Sequence, residues 1–211
     1  MGIITLCTDF GNRDPYAGIM KGVILSVDPG ARIVDITHEI EPQDVREAAF
    51  TVEDYWRYFP AGTVHVVVVD PTVGSSRRPI VVSCDGHFFV GPDNGVFSFA
   101  AGRASDIRLI EDRDLMRGEI SATFHGRDIF SPVAAHLSGG AAPSGLGAKI
   151  TDPVVLEDIY PVIREDTMTG DIARFDHFGN AITNINREQF DSFVRERPYR
   201  VSVRDFSFNS L

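Results

Sequence analysis

Thr63-Val64-His65-Val66-Val67-Val68-Val69-Asp70-Pro71 joins a β-branched run to a carboxylate and a proline. Apart from His65 the run is apolar at successive positions, as in a strand buried on both faces of a parallel sheet. Pro71 has no N–H to donate and stops the ladder. A carboxylate at the C-terminal tip of a buried strand lies where open α/β sheets bind ligands, so Asp70 is the first candidate for chemistry. Its purely structural alternative is a turn cap ahead of Pro71, a common use of Asp.

On the N-terminal side the same logic repeats. Ile3 to Cys7 reads as a short strand, followed by Thr8-Asp9-Phe10-Gly11 with a second carboxylate past its end. Asp14-Pro15 predicts a helix start, with Asp at the cap and Pro at the first helical position. Tyr16, Met20, Val23 and Val27 then follow at helical spacing. Ala31 to Ile36 is a second strand. Val45, Ala48, Ala49, Val52, Tyr55, Trp56 and Phe59 mark an amphipathic helix that Pro60-Ala61-Gly62 ends. The first 70 residues thus alternate β-α-β-α-β, which predicts right-handed crossovers and a mostly parallel, three-layer α/β domain over residues 1–155.

On the C-terminal side, Asp85-Gly86 between Ile80–Cys84 and His87–Val90 predicts a hairpin. Gly91-Pro92-Asp93-Asn94-Gly95 is a turn cluster, and Ile107–Ile110 a strand. Phe124-His125-Gly126-Arg127-Asp128 leads into a helix over Ile129–Leu137, with Asp128 favourable against its dipole. The Gly-, Ala- and Pro-rich stretch Ala141–Val154 reads as a long connection. Gly170–Phe175, Ala181–Ile185 and Tyr199–Val203 then predict a small antiparallel β domain over residues 156–211.

Composition narrows the class of function. A formal charge of -10 with no basic run argues against nucleic acid and anionic membranes. No apolar run reaches spanning length and no leader pattern opens the chain, which predicts a cytoplasmic protein. Cys7 and Cys84 sit in apolar runs and read as buried small hydrophobes. His38, His65, His87 and His136 read as structural or surface residues. No dinucleotide fingerprint or P-loop follows the first strand. A metal hydrolase can place Asp9, Asp35, Asp70 and His38 at strand ends, but HExxH and paired-His spacing are absent, so the expected metal count is none. In contrast, a carboxylate, a guanidinium and an imidazole from the loops at Asp70, Arg77 and His125 can hold a water and remove its proton.

Taken in order, Thr8-Asp9-Phe10-Gly11, Asp14-Pro15-Tyr16, Val69-Asp70-Pro71 with Gly74 to Arg77, Gly91 to Gly95, Phe124 to Asp128, and Asp176 to Asn180 with Thr183-Asn184-Ile185 resemble the S-adenosyl-L-methionine (SAM) hydroxide adenosyltransferases, relatives of the fluorinases and chlorinases. The resemblance spreads over nearly the whole chain. It implies hydrolysis of SAM to adenosine and methionine by water attack at ribose C5′, with SAM as substrate and no cofactor. It implies Asp70, Arg77 and His125 as the catalytic set, although Arg78 stands beside Arg77. It implies Asp9 at the ribose hydroxyls with Phe10 beside it, Asp176 at the methionine ammonium, and Phe178 and Asn180 in the adenosine pocket. The halogenating relatives carry no carboxylate at the position of Asp70, and an anion there repels halide, which places this chain with the water users. The resemblance further implies a homotrimer with sites at subunit interfaces. It implies a C-terminal barrel continuing past the equivalent of Leu211, so that the chain is either a fragment or carries a reduced C-terminal unit. A non-catalytic SAM- or adenosine-binding module is the alternative from another functional class, and the metal-dependent hydrolase is the third.

Overall fold

The computed structural model describes residues 2–209. Internal packing divides the chain into two compact units, Met1–Leu156 and Glu157–Leu211.

The first unit is built on a six-stranded sheet of order β2-β1-β3-β5-β4-β6. Strands β1 (Ile3–Thr8), β2 (Arg32–Thr37), β3 (Val64–Val68) and β5 (His87–Pro92) run parallel. Strand β4 (Pro79–Cys84) is antiparallel both to β5 and to β6 (Asp106–Leu109). Asp85 and Gly86 take positive φ values of 49° and 80° between β4 and β5, the primed turn that the strand twist requires. All five residues of β3 are buried. Val64, Val66 and Val68 face one core with β1 residues Ile4 and Leu6. Val67 and Val69 face the other. The period of two is thus hidden inside an uninterrupted apolar run, because both faces are covered.

Helices α1 (Tyr16–Val27) and α4 (Ser131–Ser138) supply the first core, and α2 (Val45–Tyr55) and α3 (Ser98–Ala101) the second. Helix α1 begins one residue later than the Asp14-Pro15 pattern predicts. Pro15 is the N-cap, without a side-chain cap, and its carbonyl accepts from Ile19 at 2.8 Å. Its buried stripe is Ala17, Met20, Val23 and Ile24, whereas Tyr16 and Val27 are exposed.

The helix expected over Ile129–Leu137 opens as a π-helical turn, Gly126–Phe130, before α4. Pro132 explains it. Its missing N–H cannot reach the Asp128 carbonyl, which instead accepts from Arg117 at 2.9 Å. The stretch Ala141–Val154 is packed rather than free. Ala148 accepts from Leu109 and Ile150 donates to Ile107, both at 2.9 Å, while Leu146 is fully buried.

Among the described residues the second unit carries three separate two-stranded antiparallel sheets rather than a barrel-like one. They pair β7 (Val162–Arg164) with β8 (Thr167–Thr169), β9 (Ile172–Phe175) with β10 (Ala181–Thr183), and β11 (Val201–Val203) with β12 (Phe206–Phe208). Between them lies α5 (Arg187–Val194), opened by a reciprocal capping box of Asn186 and Gln189. Among the described residues no helix is long and apolar enough to cross a membrane.

Candidate active site

The side chain of Asp70 follows β3 directly and is 4% exposed; that of Arg77 is 5% exposed. The guanidinium grips the carboxylate with two N–H groups, Nε donating to Oδ1 at 3.2 Å and Nη2 to Oδ2. Nη2 also reaches His125 Nδ1 at 3.0 Å, and the guanidinium carbon lies 5.5 Å over the Phe130 ring. Arg77 Nη1 is buried without a hydrogen-bond partner among the described residues. Thr72 Oγ1 lies 3.4 Å from Asp70 Oδ1.

Because arginine only donates, Nδ1 of His125 must accept, and the ring proton sits on Nε2. Burial first, and Arg77 second, push the His125 pKa below its ordinary value, against the weaker pull of Asp70 and Asp128. The imidazole is therefore held neutral.

Two loops have to meet to build this cluster. Gly74, at φ 78°, lies so close to the 118–125 loop that an added Cβ would stand 2.3 Å from the Ala122 carbonyl oxygen. On the other side, Asp128 is fully buried and accepts from Ser121 N and Ser121 Oγ, each at 2.9 Å, and from Arg127 Nε at 2.6 Å. Asp128 thus ties down the loop that carries His125, and it stands in the first helical turn as the sequence predicts.

Asp9 follows β1, next to β3 in the sheet, and Oδ2 accepts from Gln43 N at 2.9 Å. Burial raises its pKa first of all, the Gln43 N–H opposes this, and the charge of Asp70 raises it further. Phe10, Tyr16 and Phe124 form an edge-to-face triangle with centroids 5.4–5.8 Å apart. This aromatic wall connects the residue after Asp9 to the residue before His125.

A family model described as the SAM hydroxide adenosyltransferase N-terminal domain matches residues 4–147. The chain belongs to the SAM hydroxide adenosyltransferase family. It is 39% identical over 208 residues to the Thermus thermophilus (R)-S-adenosyl-L-methionine hydrolase, covering 93% of this chain and 80% of that protein. It is 26% identical to the fluorinase of an Actinoplanes species, covering 90% and 73% of the two chains. A solved structure of an uncharacterised conserved protein from Thermotoga maritima superposes with a TM-score of 0.89 at 40% identity, covering 97% and 80%.

Within this family member the neighbouring arginines part company. Arg78 leaves the cluster, its Nε donating to Asp93 at 2.7 Å and its Nη1 to Asp152 at 3.1 Å. Arg77 is the one that meets Asp70. The strand-end acidic residues do not form a metal site: among the described residues no three of His, Cys, Asp or Glu gather to hold an ion. Asp35 instead pairs with Lys21. His65 and His87 are buried in the sheet, bonded to each other at 3.2 Å, as expected of core histidines.

Asp176, Phe178 and Asn180 lie in the second unit, on the β9–β10 hairpin. Asp176 Oδ1 accepts from Phe178 N at 2.9 Å and Asn180 N at 2.8 Å, and Oδ2 from Asn180 Nδ2 at 2.7 Å. The Asn180 side chain and then its backbone N–H hold the Asp176 pKa below the usual carboxylate value. Phe178 is 86% exposed. Sequence reasoning did not single out Tyr16, Phe130, Gln43 and Ser121 as parts of the site. Tyr16 appears in the Asp14-Pro15-Tyr16 segment, and Ser121, seven residues before Asp128, left a local signal as a small polar residue in a turn.

Proposed function

We propose that this chain hydrolyses SAM to adenosine and L-methionine by water attack at ribose C5′. The observation that carries the reading is the buried Asp70–Arg77–His125 cluster, with one guanidinium shared between carboxylate and imidazole. Family membership and the names of relatives 37–39% identical, each an (R)-S-adenosyl-L-methionine hydrolase, support it.

In this reaction the C5′–S bond breaks and its electron pair stays on sulfur. Methionine leaves as a neutral thioether, so no general acid is needed. The water oxygen bonds to C5′, and one proton must depart. Arg77 Nη1 is closed off from solvent, so the guanidinium acts on the water through the Asp70 carboxylate that it holds in place. His125 is a poor acceptor, since its Nδ1 lone pair is already engaged by Arg77. Asp70 Oδ1 is engaged by Arg77 and Thr72, but Oδ2 keeps a lone pair beyond its bond to Arg77 and takes the proton. Its modest basicity suffices, because the attacking water becomes strongly acidic as the O–C bond forms.

Asp9 accepts the vicinal ribose hydroxyls, with Phe10 beside them. Phe178 offers an open ring face to the adenine, and Asn180 a polar contact. Asp176, kept ionised by its turn, has a lone pair on Oδ2 for the methionine ammonium. The exposed rings of Phe175, Phe178 and Phe206 suit burial by another copy, as a homotrimer with shared sites would provide. No cofactor takes part, and the setting is the cytoplasm.

Turnover of each sulfonium epimer by chelator-treated protein tests the reading. The (R) epimer should give adenosine and methionine, and Asp70→Asn should lower kcat by about 10²- to 10⁴-fold. Binding of SAM without turnover would leave a binding module instead.

A further inference from the structure

Behind Asp9 lies a second cluster that the reaction does not use. His38 follows β2, and its side chain is 4% exposed. Its Nδ1 lies 2.8 Å from Thr8 Oγ1, itself fully buried. Its Nε2 lies 3.2 Å from Asp35 Oδ1, close but without hydrogen-bond alignment. A carboxylate beside Nε2 favours the ring proton on that nitrogen, which leaves Nδ1 to accept from the Thr8 hydroxyl. The Thr8 oxygen in turn accepts from Phe10 N at 3.3 Å.

The backbone repeats the connection. Gly11 N donates to the His38 carbonyl at 2.7 Å, and Ile40 N approaches the Thr8 carbonyl at 3.4 Å. The loop after β2 thus clamps residues 8–11 on both sides of Asp9, then returns through Gln43, at φ 68°, to hold the Asp9 carboxylate itself. A buried imidazole with one ring nitrogen committed to a hydroxyl has few other arrangements, so it fixes where that loop stands.

We infer that His38 is a positioning residue for the nucleoside: through Thr8 it sets the placement of Asp9 against the ribose hydroxyls. This inference rests on the ribose role proposed for Asp9. Thr8 is too buried to be a nucleophile, and His38 too far back in the loop to act on the substrate itself.

The test compares binding of adenosine and of 2′,3′-dideoxyadenosine to the whole chain by calorimetry. Wild-type protein should prefer adenosine, because only adenosine offers the vicinal 2′,3′-hydroxyls to a carboxylate. His38→Leu keeps bulk and loses the acceptor; Thr8→Val keeps shape and loses the hydroxyl. Either should cut the adenosine preference about tenfold or more, with dideoxyadenosine affinity nearly unchanged. His38→Asn, which returns an acceptor near the Nδ1 position, should restore most of the preference. General destabilisation would weaken both ligands together and leave the ratio alone. A wild-type-like preference in His38→Leu or Thr8→Val would overturn the inference while leaving Asp9 its ribose role. A wild-type protein indifferent to the hydroxyls would overturn both.

Discussion

At the scale of single residues, the site works through what each charge can still do after its structural bonds are counted. Arg77 spends three contacts on Asp70 and His125, and its Nη1 is closed off from solvent. His125 is neutral because burial and Arg77 both oppose its protonation. The pH profile follows in sign. Protonating His125 removes the acceptor that Arg77 uses, so kcat should hold at neutral pH and fall as pH drops through a midpoint below the ordinary His value of 6.5. His125→Asn, which retains an acceptor but does not titrate, should lose that limb. A His125-dependent midpoint at or above 6.5 would contradict the account. Asp70 and His125 were legible in the sequence because each stands at the end or start of a recognisable element. Arg77 and Arg78 were not separable by residue type, since adjacent side chains turn to different partners. What decided between them was distant: Asp93 and Asp152 claim Arg78.

At the scale of elements, the tip of β3 and the π-helical turn at Gly126–Phe130 are brought together by one close approach. Gly74→Ala should force the 70–78 and 118–125 loops apart, because Ala122 leaves no room for a Cβ and the φ of 78° disfavours one anyway. The expected cost is about 1–3 kcal/mol in stability, with a loss of kcat larger than a stability change alone explains. Chemical denaturation and steady-state kinetics on the same preparation would separate the two. A variant with wild-type kcat would show that the contact does not set the site. The buried strands and the Asp85-Gly86 turn were readable from β-branching and turn chemistry. The π-helical turn was hidden, although Pro132 is its cause, because a proline near a helix start usually fits an ordinary first turn. The three-residue strands of the second unit were only partly readable, as a period of two needs more residues to declare itself. Helix α5 did leave a signal in Asn186 and Gln189.

At the scale of the whole molecule, the sheet carries a polar row through its core. Thr5 Oγ1 meets His65 Nδ1 at 2.8 Å, and His65 Nε2 meets His87 Nδ1. Burial, then His87, pushes the His65 pKa down to about 3. An unfolded His65 binds its proton near 6.5, and the folded one refuses it until far lower pH. The stability is thus present above about 6.5 and lost progressively as pH falls toward 3, by on the order of a few kcal/mol. Urea midpoints should therefore drop more steeply below pH 6.5 in the wild type than in His65→Gln; equal slopes would contradict this. The alternation of the first 70 residues revealed the sheet and its two covered faces. The Asp85-Gly86 signal revealed the antiparallel β4–β5 pair, but not that β6 adds to the far side of β4, since pairing order depends on contacts far apart in sequence.

The central claim is that water, held by the Asp70–Arg77–His125 cluster, attacks C5′. The measurement that meets it most directly is turnover of SAM in ¹⁸O-enriched water with chloride present, read by mass spectrometry. Adenosine carrying one heavy oxygen at the 5′ position, with unlabelled methionine, and formed about 10²- to 10⁴-fold more slowly by Asp70→Asn, is the predicted result. Adenosine without the label, or 5′-chloro-5′-deoxyadenosine as the main product, would contradict it.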